Sequence, residues 1–287
     1  MQYKHGKLYF SASDLTNFLQ SPFASWMDRF RLECPDEAPI RDEVDAMNNL
    51  LSVKGYAHEE RIETELKESV NSFQRIDGDT DEQKITATIK AIEAGVEVIT
   101  QACFRDGDFF GYADFLVRVP GKSRLGDFHY EVWDAKLTKR AKPSHLIQLC
   151  VYVEMLDAIQ GRKADRVVVV LGTGEKHVTR ISDCYAYFVS VKQSFLAFHE
   201  HFLAAEEPDP AESKSWGRWA TYAEEKLMQR DHLYQVANIT REQIAKLNRV
   251  GVMTMAELAL AGEVKVPGIT PSVLEKLKAQ ASIQIKS

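Results

Sequence analysis

The run ADRVVVVLG at residues 164–172 has no polar and apolar alternation after its first three residues. A strand that is apolar on both sides must be covered on both faces, so it belongs inside a sheet with cover above and below. Helical patterns flank it on both sides: KPSHLIQLCVYVEMLDAIQ (142–160), with Pro143 suited to a first turn, and YFVSVKQSFLAFHEHFLAAE (187–206). The expected class is α/β, a mixed sheet flanked by helices.

The chain of 287 residues, 45% hydrophobic, suits one large domain or two smaller ones with a sizeable core. No apolar run reaches membrane-spanning length, and the start, MQYKHGKLYFSAS, lacks a charged-then-apolar secretory pattern. No membrane partner is expected. The four cysteines, Cys34, Cys103, Cys150 and Cys184, are scattered without a CxxC pair. That argues against a disulfide framework or a zinc finger and for a reducing, cytoplasmic location. The formal net charge of −6 counts against wholesale nucleic-acid binding but leaves room for a local basic strip.

Along the chain, SASDLTNFLQSPFASWMDRFRLE reads as helix, with Ser11 and Asp14 spaced as a capping box and Pro22 positioned to start a second helix. A long helix is predicted over 43–68, softly interrupted at Gly55. EQKITATIKAIEAGVEVITQACF reads as an amphipathic helix or a helix-to-strand transition. YADFLVRV and YEVWDAKL have strand composition, with PGKSRLGD between them as a hairpin loop; KHVTRISD is a further strand. Composition shifts at EPDPAESKSWGRW, giving expected domains of 1–207 and 208–287, the second all helical.

Charge inside the two strands needs a reason. Asp134 and Lys136, two apart in a strand, project to the same side, and antiparallel pairing brings Asp114 alongside. Two close carboxylates repel unless a cation lies between them. Mg²⁺ or Mn²⁺ accepts such an oxygen-rich set, and a nearby lysine can hold a phosphate or assist a water. An exposed face with a salt bridge has the same spacing. The following helix carries His145, Gln148 and Tyr152 on one face. KLTKRAKPSH concentrates Lys136, Lys139, Arg140 and Lys142: a solvated loop, or a phosphate strip beside a metal site. His58, in GYAHEERI, is a lone helical histidine, a pattern shared by structural and ligating residues alike.

The order GYAHE, GYADF, YEVWDAKL, IQLCVY resembles the RecB-type nucleases of the PD-(D/E)xK superfamily, which include CRISPR-adaptation nucleases and nuclease-helicase fusions. The likeness runs over roughly residues 9–205. It implies a restriction-endonuclease-like core with a helical N-terminal wing. It also implies a metal held by His58, Asp114, Asp134 and the backbone carbonyl of Ala135, a catalytic Lys136, and Gln148 with Tyr152 near the DNA backbone and Lys136. Many such relatives carry four cysteines for an iron–sulfur cluster. Ser21 stands where the first would be, and ESKSWGRW contains none of the other three, so no cluster is expected; packing around Trp216 and Trp219 replaces it.

Beyond residue 208, ITREQIAKLNRVGVMTMAELA and VPGITPSVLEKL resemble a helix-hairpin-helix pair, with Gly251 and Gly268 as hairpin positions that present N–H groups to a phosphate. Such units also serve as protein contacts. The closing IQIKS carries no ending signal, which fits a fragment of a longer nuclease-helicase or a stand-alone version. The expectation is a metal-dependent deoxyribonuclease acting on single-stranded DNA or DNA ends in repair, recombination or defence, with a helicase or other repair or defence protein as partner. The rival expectation is a catalytically inactive DNA- or protein-binding subunit of a larger complex.

Overall fold

The first elements of the computed structural model, which describes residues 1–285, are a short hairpin of β1 (Gln2–Lys4) and β2 (Lys7–Tyr9). Lys286 and Ser287, the end of the closing stretch, lie outside the described residues. Helix α1 (Ala12–Gln20) starts with the expected capping box: Ser11 Oγ accepts from the Asp14 N–H, and Asp14 Oδ2 accepts from the Ser11 N–H. Helix α2 (Pro22–Glu33) takes Pro22 as its first residue, and Ser21 Oγ accepts from the Ala24 N–H at 2.9 Å. The long α3 (Ala46–Glu68) runs unbroken through Gly55.

The remaining strands make one six-stranded sheet, in sequential order: β3 (Phe73–Arg75), β4 (Val98–Asp106), β5 (Phe109–Ser123), β6 (Gly126–Lys136), β7 (Arg166–Leu171) and β8 (Lys176–Arg180). It is mixed. β3 with β4 and β6 with β7 run parallel; the other neighbours are antiparallel. Each parallel pair is joined by a helix, α4 (Asp81–Glu93) and α5 (Pro143–Gln160), because a parallel return needs a crossover. The sheet is therefore of the α/β kind expected.

β7 explains its own composition. Val167, Val169 and Leu171 join the core beneath α5, while Val168 and Val170 join the core beneath α3 with Ile62, Leu66 and Phe115. Both faces are covered. α1 and α6 (Tyr185–Glu200) pack over α5 and complete that layer.

One local expectation changes. PGKSRLGD is mostly strand: β5 and β6 continue to Ser123 and Gly126, leaving a tight turn with an irregular register after Pro120. The proline lacks an N–H and the glycine sits at φ +143°, so the ladder is distorted but not ended. The hairpin at residues 2–9 and the three-residue β3 are too short to carry a period.

Three further helices follow α7 (Ala220–Gln229): α8 (Arg241–Asn248), α9 (Met255–Leu260) and α10 (Pro271–Gln284). Trp216, Trp219 and Leu227 share a core with Phe23, Trp26 and Met27 of α2. Trp219 Nε1 donates to Asp28 at 3.0 Å, and Ser213 Oγ accepts from the Phe23 N–H at 3.3 Å, beside the fully buried Ser21. Leu233, Leu247, Leu258, Leu274 and Leu277 form a separate core. Gly251 and Gly268 both hold left-handed φ, +83° and +81°. Among the described residues no helix is long and apolar enough to cross a membrane.

The ends of β6 and β7 are locked together at Gly172. A Cβ there would lie 2.5 Å from the Leu137 carbonyl oxygen, one residue past Lys136. Gly172→Ala is expected to destabilise the protein by roughly 1–3 kcal/mol, as overpacking against backbone does, measured by urea unfolding. A variant that unfolds like wild type would show that these strand ends are not pinned.

Candidate metal site at the strand fork

β5 and β6 pair as far as Phe115 opposite Trp133, then part. β6 continues against β7 through Lys136. The parting leaves the Ala135 N–H without a β5 carbonyl, and Asp114 fills the gap: its Oδ2 accepts that N–H at 3.1 Å. Backbone economy therefore fixes Asp114 at the mouth of the fork.

Asp134 lies beside it and is 3% exposed. Its Oδ1 accepts from Lys136 Nζ at 2.7 Å, while its Oδ2 is buried and has no donor. The neighbour of the pair is the Asp114 carboxyl, and two ionised carboxylates offer each other no proton to share. Burial first, and the Asp114 charge second, hold the Asp134 carboxyl well above the usual carboxylate range, against the opposing pull of Lys136. The site is short of positive charge; a proton or a cation relieves it.

On the α5 side, Tyr152 is buried with its hydroxyl against Gln148 and the backbone of Tyr112. Gly111 makes the room, since a Cβ there would stand 3.1 Å from that hydroxyl. Burial, then Asp114 and Asp134, push the phenol up, so Tyr152 stays a neutral hydrogen-bonding group. His145 is buried on the same helix, and its Nδ1 accepts the Lys142 N–H at 3.3 Å. Burial and the charges of Lys136 and Lys142 pull its pKa down to about 4, so it is neutral at physiological pH.

On the α3 side the sequence expectation and the geometry diverge. His58 is buried, and its Nε2–H donates to the Val170 carbonyl at 3.2 Å. Its Nδ1 accepts from Arg61 at 3.0 Å. No lone pair is left to face a metal in this arrangement. The spacing His58, Ile62, Leu66 is i, i+4, i+8, the buried row of α3, and that row was legible in the sequence.

Glu59, one step round the helix and not singled out from the sequence, lines a cavity of about 480 Å³ with Gln101, Tyr112, Asp114, Arg75 and Tyr56. Its carboxylate accepts from Gln101 Nε2. Gln101 sits in β4 opposite the fork with φ +55°, a left-handed conformation unusual for a residue with a side chain. Burial, then the Asp114 charge, raise the Glu59 carboxyl.

The structure thus brings together Asp114, Asp134, Ala135 and Lys136, with Gln148 and Tyr152 behind them, and turns His58 aside. Among the described residues no three His, Cys, Asp or Glu side chains already enclose a metal position. The donor set nevertheless fits a hard divalent ion: two adjacent carboxylates, one with an orphaned buried oxygen, suit Mg²⁺ or Mn²⁺, which keep several waters and need only one or two protein carboxylates. No protein-family model matches the chain, and no curated protein matches it.

Asp134 makes stability fall with pH. A folded-state pKa above the unfolded value means that the folded chain binds the proton more tightly. That contribution is fully present below the ordinary carboxylate value of about 4 and is lost as pH rises through the raised one. In chelator, Asp134→Asn is expected to be more stable than wild type near pH 8, by roughly 1–3 kcal/mol, with the gap closing towards about pH 4. Urea unfolding across pH checks this. Parallel pH profiles for the two proteins would remove the uncompensated carboxylate.

Proposed function

We propose that the chain is a metal-dependent deoxyribonuclease with a restriction-endonuclease-like core and a helical N-terminal wing. The observation that carries this reading is the buried, donorless Asp134 Oδ2 beside Asp114, with Lys136 on the other oxygen. A scaffold has no use for two carboxylates pressed together at a strand fork; leaving them uncompensated costs free energy.

Asp114 and Asp134 would hold Mg²⁺ or Mn²⁺, with the Ala135 carbonyl as the further oxygen that the resemblance implies. Such an ion shields phosphodiester charge and makes water a better nucleophile. Lys136 keeps about a quarter of its side chain exposed, so its ammonium can meet a phosphate as a point charge. Tyr152, neutral and tied to Gln148, can donate to the same region. His145 places a neutral ring beside Lys136, so the site gains no second cation there. Lys139, Arg140 and Lys142 are exposed on the loop that follows, within reach of a strand running out of the fork. Single-stranded DNA or DNA ends are the proposed substrates, by analogy with RecB-type nucleases.

The C-terminal helices are proposed as a helix-hairpin-helix-like module that contacts DNA or a helicase or other repair or defence protein. Gly251 and Gly268 supply the left-handed turns such hairpins need. A second reading, an inactive binding subunit, is favoured by one observation: both ring nitrogens of His58 are engaged away from the fork.

The two readings separate on labelled DNA, single- and double-stranded, with Mg²⁺, Mn²⁺ or chelator. Cleavage is expected only with metal, and Lys136→Ala or Asp114→Ala is expected to slow it by roughly 100-fold or more while binding persists. If wild type and both variants bind DNA alike and none cuts, the binding-subunit reading replaces the enzyme.

A further inference from the structure

The α3 contribution to the site is open once His58 is engaged elsewhere. Four observations converge on its neighbour. Glu59 and Asp114 line the same cavity. Gln101 also lines it, and its amide holds the Glu59 carboxylate in place. Gln101 achieves this from a left-handed backbone in the middle of a strand, where a side chain costs on the order of 1 kcal/mol or more. β4 and β5 keep the same register on both sides of this point, Thr100 opposite Phe115 and Ala102 opposite Ala113. The distortion is therefore confined to the level of Gln101 and Asp114. Finally, Asp134, beside Asp114 at the fork, is 3% exposed and has an oxygen without a donor, which points to a positively charged ligand at the fork.

We propose that Glu59, held by Gln101, is the residue through which α3 reaches the divalent cation, so that the site comprises Glu59, Asp114 and Asp134 and not His58. This rests on the metal-dependent reading above. The two residues divide the work of one helical turn. His58 donates to Val170 from the row that seats α3 on the sheet with Ile62 and Leu66, and Glu59 is the next residue round the helix. Glu59 then faces Asp114 across the cavity. A third carboxylate on that side suits an ion that keeps much of its water and is selected by oxygen charge, whereas an imidazole would favour softer metals.

The test is isothermal titration of Mn²⁺ alone into the full chain, with a circular-dichroism melt of every variant. Glu59→Gln is expected to weaken Mn²⁺ binding by about tenfold or more, as loss of a ligand or its support does, while His58→Gln stays within about twofold of wild type but melts lower. Gln101→Gly is expected to melt no lower than wild type, because it relieves the left-handed backbone, yet to bind Mn²⁺ more weakly. A Gln101 that served stability alone would give the reverse. If His58→Gln does not fold, Glu59→Gln against Asp114→Asn still decides the matter. Asp114→Asn impaired with Glu59→Gln intact overturns the Glu59 assignment alone. Wild type that binds no Mn²⁺, or Asp114→Asn that binds it as wild type does, removes the metal-dependent reading and this assignment together.

Discussion

One hydrogen bond organises the candidate site: the Ala135 N–H to Asp114 Oδ2. It forms because β6 must leave β5 to follow β7, and a backbone donor exposed by that parting has to be satisfied. The carboxylate that satisfies it cannot then move away from Asp134. Repulsion between the two is thus a consequence of strand topology, held in place by the ladders on either side. Lys136 offsets one oxygen of Asp134 and leaves the other bare. The rest of the neighbourhood follows. Tyr152 is kept neutral by burial and by the two acids, and His145 is kept neutral by burial and by the lysines.

The surrounding fold supplies rigidity on both sides of the fork. β7, apolar on both faces, anchors the length of β6 that carries Asp134 and Lys136. α5 reaches over one face with Gln148 and Tyr152. α3 covers the other through Ile62 and Leu66, and the His58 bond to Val170 adds a polar pin to that apolar contact. α2 and the Trp216–Trp219 segment share an aromatic core close to the buried Ser21. The last three helices keep a core of their own.

Much of the fold was legible because it rests on strong local signals. The apolar ADRVVVVLG run, the Ser11–Asp14 capping box, Pro22 and Pro143 at helix starts, and the D-x-K spacing each have a direct physical meaning. The pairing of Asp114 with Asp134 was legible too, from two-residue alternation in neighbouring strands. What was not legible depends on contacts distant in sequence. PGKSRLGD looked like a loop because proline and glycine weaken a ladder, yet pairing with Tyr130, His129 and Phe128 carries the strand through Pro120. The hairpin at residues 2–9 is held partly by Phe10 bridging to Phe109, a hundred residues away. Gln101 gives no hint of its left-handed backbone. His58 drew attention as a ligand type, and its place in the buried i, i+4, i+8 row with Ile62 and Leu66 was the signal that weighed the other way.

The account depends on Asp114 and Asp134 sharing one cation. Anomalous scattering from a crystal of the protein soaked in Mn²⁺ reads this directly. The expected result is a single strong peak within about 2.5 Å of an oxygen from each carboxylate, the bonding distance of a hard divalent ion. Carboxylates of Asp114 and Asp134 with no peak between them, while Mn²⁺ binds elsewhere on the chain, would contradict it.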